Sequence, residues 1–179
     1  MRRAMLIAVV AVIGILGLTA CGTETAKTDP VKPGADAAKA AKAGIGDTLE
    51  LKDAQAQLQV TVTKTKRVPA YSEYGMQLHP ALYAVQITVK NLGETVYDDS
   101  ISNCIALIDA KDQSHNAEFA VSGPGGNELP GMIESVKIRP GDRRSGWVFF
   151  ALGEKEKPRA FQFTPESGMG EQVGEWSLR

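Results

Sequence analysis

Cysteine is almost absent: the 179-residue chain has two, Cys21 and Cys104. No disulfide framework can staple such a chain, so a folded domain must rest on a hydrophobic core. Histidine is equally scarce. His79 and His115 are the only two, and neither stands at zinc-ligand spacing from a cysteine or from the other; both are expected in exposed loops. No Gly-x-Ser-x-Gly elbow occurs, which leaves a hydrolase triad without an anchor. With no paired nucleophile and base, the chain reads as a non-enzyme that needs no cofactor and no metal. An excess of one charge is also missing, since 20 basic residues face 21 acidic ones for a net charge of −1. The basic groupings Lys64-x-Lys66-Arg67 and Arg139 with Arg143-Arg144 are short, so nothing along the chain reads as a footprint for nucleic acid.

Long apolar runs are missing as well, with one exception at the N-terminus. Met1-Arg2-Arg3-Ala4 is a short positive segment, and Met5 to Leu18 is apolar without a charge. That run falls short of the roughly 20 residues a membrane-spanning helix needs, and it fits the hydrophobic region of a signal peptide. Leu18-Thr19-Ala20-Cys21 then looks like a lipobox. By resemblance to bacterial lipoproteins, the Cys21 thiol takes a diacylglycerol, and cleavage before it makes Cys21 the first residue of the mature chain. One buried acyl chain holds a protein reversibly; two or three, at about 0.8 kcal/mol per CH₂, hold it durably. Residues 1–20 are therefore expected to be a lipoprotein signal peptide. Lipid on Cys21 would place the chain on the extracytoplasmic face of the cell membrane.

Residues 21–46 are small, polar and rich in Ala, Lys, Thr and Pro. They offer too little apolar surface to offset the entropy of ordering, and they read as a lipidated, flexible tether. From residue 47 the pattern changes to a period of two. Leu58-Val60-Val62 alternate with polar neighbours, and Tyr83-Val85-Ile87-Val89 alternate with Ala84, Gln86, Thr88 and Lys90 up to the turn signal Asn91-Leu92-Gly93. Further strands are expected at Cys104–Ile108, Glu118–Val121, Ile133–Ile138, Gly146–Ala151, around Phe161 and Phe163, and at Glu175–Leu178. No helix-period run of useful length follows residue 47. Seven or eight short strands punctuated by turns predict an all-β domain over 47–179, an antiparallel β-sandwich, with a closed barrel as the alternative.

Three segments now carry a resemblance. LYAVQITVKNLGE (82–94), NCIALIDAKDQ (103–113) and IRPGDRRSGWVFFAL (138–152) follow one another in that order. Together they resemble the bacterial Ig-like lipoprotein domains of unknown function, similar to immunoprotective extracellular proteins. The resemblance implies an Ig-like β-sandwich over about residues 47–165. It brings no catalytic residues, because its motifs are turn glycines, prolines and alternating core positions.

What remains are candidate binding features. Asp98-Asp99 and Asp109 with Asp112 could serve calcium, which extracellular modules bind through loop carboxylates and carbonyls, although no Asp-x-Asp-x-Asp-Gly loop exists. Ser122-Gly123-Pro124-Gly125-Gly126 lacks a phosphate-binding pattern. Cys104, inside an apolar run, reads as a buried hydrophobe. The segment 68–80 is long for a connection and carries Tyr71, Tyr74 and Met76, residue types enriched at interfaces. These three are the expected binding residues of a non-enzymatic interaction domain whose partner is an envelope protein or glycan. A small-ligand or calcium-binding envelope domain is the alternative.

Overall fold

The structure is a computed structural model and describes residues 41–71, 77–118, 121–122, 129 and 135–179. The signal peptide, Cys21, Tyr74 and Met76 lie outside the described residues, as does most of the Gly-rich segment after Ser122.

In chain order the elements are β1 (Ala41–Gly44), β2 (Thr48–Lys52), β3 (Gln57–Tyr71), β4 (Gln77–Asn91), β5 (Tyr97–Ser100), α1 (Ile101–Cys104), β6 (Ile105–Asp109), β7 (Ser114–His115), β8 (Val121–Ser122), β9 (Ser135–Ile138), β10 (Arg143–Ala151), β11 (Pro158–Phe163), a 3-10 turn (Glu166–Gly168) and β12 (Gly174–Ser177). One sheet runs β1-β12-β11-β6-β7. The second runs β10-β4-β3-β2, with β8 paired to the far end of β3, and β5 with β9 forms a separate ribbon. Every pairing is antiparallel except β1 with β12. The fold is the expected all-β, Ig-like sandwich.

Alternation explains the core. Leu58, Val60 and Val62 of β3, Val85, Ile87 and Val89 of β4, and Val148 and Phe150 of β10 point inward. They meet Leu107, Phe161, Phe163 and Trp176 of the facing sheet in one buried cluster. Aromatic rings form its spine: Phe150 meets Phe161 edge-on with centroids 6.2 Å apart, and Phe161 meets Trp176 at 5.9 Å. Such contacts are favoured by the ring quadrupoles. Gly174 is required beside the indole, because a Cβ there would lie 2.8 Å from a Trp176 ring carbon.

Asn91 is the buried polar hinge between β4 and the turn into β5. Its side-chain amide donates to the carbonyls of Thr95 (2.7 Å) and Ile138 (2.9 Å), while its own oxygen accepts from Gly93 N–H at 2.8 Å. All three bonds are made within the fold, so the amide is not left unsatisfied where it is buried.

Three local expectations differ from the structure. β1 lies inside the stretch read as tether: its Ala-Lys-Ala-Gly sequence carries no bulky apolar side chain, and it joins through backbone pairing along β12 with the small Ala43 packed against the core. Cys104 is buried, as expected, but it ends the single turn α1 and the strand begins at Ile105. The segment 68–80 is mostly strand, with Val68–Tyr71 in β3 and Gln77–Pro80 in β4. Pro69 and Pro80 fall where the register shifts between Val68 and Ala70. At such an irregularity a missing N–H costs no ladder bond.

Candidate functional site

An open cleft of about 620 Å³ is bounded by three segments distant in sequence: Ala54–Ala56 between β2 and β3, Thr95–Asp99 leading into β5, and Glu166–Met169. Two large apolar side chains stand exposed at it, Val96 at 52% and Met169 at 80%. Asp98 and Glu166 add carboxylates, Asp98 being paired to Lys137 at 2.9 Å.

One wall of this cleft is strained. Glu166 and Ser167 sit at φ 56° and 53°, followed by Gly168 at 84°. Left-handed backbone costs an L-residue other than glycine roughly 1–2 kcal/mol, so two in succession need external support. Asp99 supplies it: Ser167 donates its N–H to Oδ2 at 2.9 Å and its hydroxyl to Oδ1. Glu166 accepts from Gln55 N–H at 3.0 Å, and Asp53 accepts from Glu171 N–H at 2.7 Å. Gly168 rests against α1 so closely that a Cβ would stand 2.7 Å from the Asn103 carbonyl oxygen. Strain held this way is characteristic of functional sites.

Tyr97 and Asp99, which also line the cleft, join the buried Cys104 in a polar cluster. The Tyr97 hydroxyl donates to Asp99 Oδ2 at 3.0 Å, and the Cys104 thiol approaches the same oxygen at 3.3 Å. Burial, with the Asp99 charge added, pushes the Cys104 thiol up to about 12 and raises the Tyr97 hydroxyl strongly. Burial pushes Asp99 upward too. The hydrogen bonds from Ser167, Cys104 and Tyr97 outweigh it and hold the carboxyl below its ordinary value. The bonds that depress Asp99 therefore stabilise the fold above the usual carboxylate range, and that contribution is lost as pH falls through the depressed value. A thiol held protonated is a poor nucleophile, and Asp99 already accepts from its neighbours. The arrangement offers shape, two apolar points and carboxylate charge, which suit binding.

Cys104 is 2% exposed. A maleimide is therefore expected to label it slowly in native protein and rapidly in urea. Native labelling as fast as that of the unfolded chain would show the cluster to be open.

The other acidic candidates are occupied structurally. Asp109 takes the N–H groups of Lys111 and Gln113 at 2.8 and 2.9 Å, and His115 Nε2 lies 3.4 Å from its second oxygen. The Gln113 bond leads in holding the Asp109 carboxyl below its ordinary value. Asp112 pairs with Arg159 at 3.0 Å. Among the described residues, no three His, Cys, Asp or Glu side chains converge where a metal ion could sit. His115 is on β7 and His79 on β4, in strands and not in loops. Tyr71 closes β3 opposite Gln77 and Val121. Val96, Glu166, Ser167 and Met169 did not stand out in the sequence; the turn-rich Pro165-Glu166-Ser167-Gly168 was the available signal.

Among the described residues, no helix is long and apolar enough to cross a membrane. Comparison with curated proteins returned no match. Among solved structures, the chain is similar to MPT63, a secreted protein of Mycobacterium tuberculosis: TM-score 0.58, 18% identity, 77% of this chain and 98% of that one. It is also similar to the yjhA protein of Bacillus subtilis, with TM-score 0.54, 16% identity, and 78% and 99% of the two chains covered. A candidate lipoprotein of the same organism, ycdA, aligns at TM-score 0.51 and 18% identity over 71% of this chain and 37% of its own. At these identities the likeness is one of fold. The family is shown by the sequence itself: residues 43–173 match a domain of unknown function, and the chain belongs to that family, DUF4352.

Proposed function

We propose that this chain is a lipid-anchored, extracytoplasmic binding module of the cell envelope, without enzymatic activity, that engages an envelope protein or glycan at the cleft beside β5. Anchoring rests on Leu18-Thr19-Ala20-Cys21. An extracytoplasmic location is supported by the secreted and lipoprotein descriptions of proteins sharing the fold. The binding role rests on one observation above the others. Two consecutive left-handed residues, Glu166 and Ser167, are pinned by Asp99 so that Met169 stands exposed across from Val96. Exposed apolar side chains rimmed by polar groups mark interaction sites, and a prefixed wall lowers the ordering cost of binding. A small ligand is the second reading, favoured by a volume within the range of ligand pockets.

A photoreactive residue at position 169, used in intact cells, tests the site. Adducts are expected at 169 and are expected to disappear when Val96→Asp is added at unchanged melting temperature. Tyr71→Ala with Tyr74→Ala should leave those adducts in place. Adducts that survive Val96→Asp but vanish with the tyrosine pair would move the binding surface to the β3–β4 hairpin tip.

A further inference from the structure

The register of the four-stranded sheet assembles a surface that the sequence scatters. Thr48 pairs with Thr61, Thr61 with Thr88, and Thr88 with Ser145, so four hydroxyls form one rank across β2, β3, β4 and β10. They stand on the face opposite the core, because Val60, Ile87 and Val89 beside them point inward. Thr48 and Thr61 share a hydrogen bond of 2.7 Å, and so do Thr88 and Ser145. Each hydroxyl keeps further capacity to donate or accept. Cations bracket the rank. Two residues along the strands, about 7 Å away, Lys90 lies directly opposite Arg143. On the other side Lys64 pairs with Gln86.

Two features mark this face as more than a solvated surface. Like charges directly opposite in a sheet are destabilising, yet Lys90 and Arg143 are kept in register. Moreover, Lys64, Lys90 and Arg143 have no ion-pair partner among the described residues, although the chain as a whole is slightly acidic. The anion on the face, Glu50, is engaged by Gln57 Nε2 at 2.9 Å. Among the described residues, none of the large exposed apolar side chains Ile45, Val96 and Met169 lies on these paired rows. Trp147 is 7% exposed and unavailable for stacking on bases.

We propose that this outer face binds an acidic polysaccharide: the cations take its carboxylates, and the Thr/Ser rank with Gln59 and Gln86 takes its ring hydroxyls. Complementary charge supplies the attraction, and the rank supplies discrimination in favour of a sugar. The site is separate from the cleft and does not depend on its occupant.

The test uses the full chain bearing Cys21→Ser, so that no acyl group biases the result, titrated with polygalacturonate. Dextran, poly-L-glutamate and phosphatidylglycerol-containing vesicles serve as comparison ligands. Binding to polygalacturonate that weakens with salt is expected, at least about tenfold tighter than to poly-L-glutamate or the vesicles, with none to dextran. Lys64→Gln with Lys90→Gln and Arg143→Gln should reduce it about tenfold or more while leaving the melting temperature unchanged or raised. The same net change at Lys111→Gln, Lys155→Gln and Lys157→Gln should leave affinity within about twofold. Absence of binding, equal loss in both triple variants, or preference for vesicles or poly-L-glutamate would overturn the proposal.

Discussion

Trp176→Ala is expected to destabilise the domain by about 3–5 kcal/mol, the range for removing a large aromatic from a packed interior. Trp176 is fully buried, lies against Phe161 at 5.9 Å, and donates its indole N–H to the Asp47 carbonyl at 3.0 Å. Truncation removes the ring contacts and leaves that carbonyl without its partner. Gly174 presses on the same ring, so the β12 backbone loses what it packs against. For a domain of this size the cost corresponds to roughly 10–20 °C in melting temperature. Trp176→Phe, which keeps an aromatic and loses only part of the volume and the N–H, should fall between. A melting temperature within about 1 °C of the parent for Trp176→Ala would refute the packing described.

Cys21→Ser is expected to have the largest effect on where the protein resides. The serine hydroxyl cannot take the thioether-linked diacylglycerol, so the protein should leave the membrane fraction or remain unprocessed. Several acyl chains at about 0.8 kcal/mol per CH₂ make the difference between durable and negligible retention. Cell fractionation with immunodetection reads this directly. Unchanged retention of a correctly cleaved Cys21→Ser chain would mean that something other than lipid holds it.

Legibility in the sequence depends on the range of each interaction. β4 was legible because Tyr83, Val85, Ile87 and Val89 alternate with Ala84, Gln86, Thr88 and Lys90, a period that burial of one sheet face imposes. β10 was legible as core strand but for a fuller reason than expected. Val148 and Phe150 enter the inter-sheet core, while Trp147 and Phe149 pack on the other face with Val68, Leu82, Ala84 and Leu129. β1 was not legible, because it is held by backbone bonds to β12 and by the packing of the small Ala43, which leaves only a weak side-chain signature. The outer part of the β3–β4 pairing was read as a connection, because the register shift that accommodates Pro69 and Pro80 exists only once the two strands are paired. The cleft was invisible because Asp99 and Ser167, which shape it, lie 68 residues apart. The basic face was invisible for the same reason: Lys90 and Arg143 become neighbours, and Lys64 joins their face, only through pairing.

Intact-mass spectrometry of the protein extracted from cell envelopes tests the tethered-module reading most directly. The mass expected is that of a chain beginning at Cys21 plus a diacylglycerol, with or without a further acyl group on the new N-terminus. A chain of unmodified mass, or one beginning at any other residue, would contradict it.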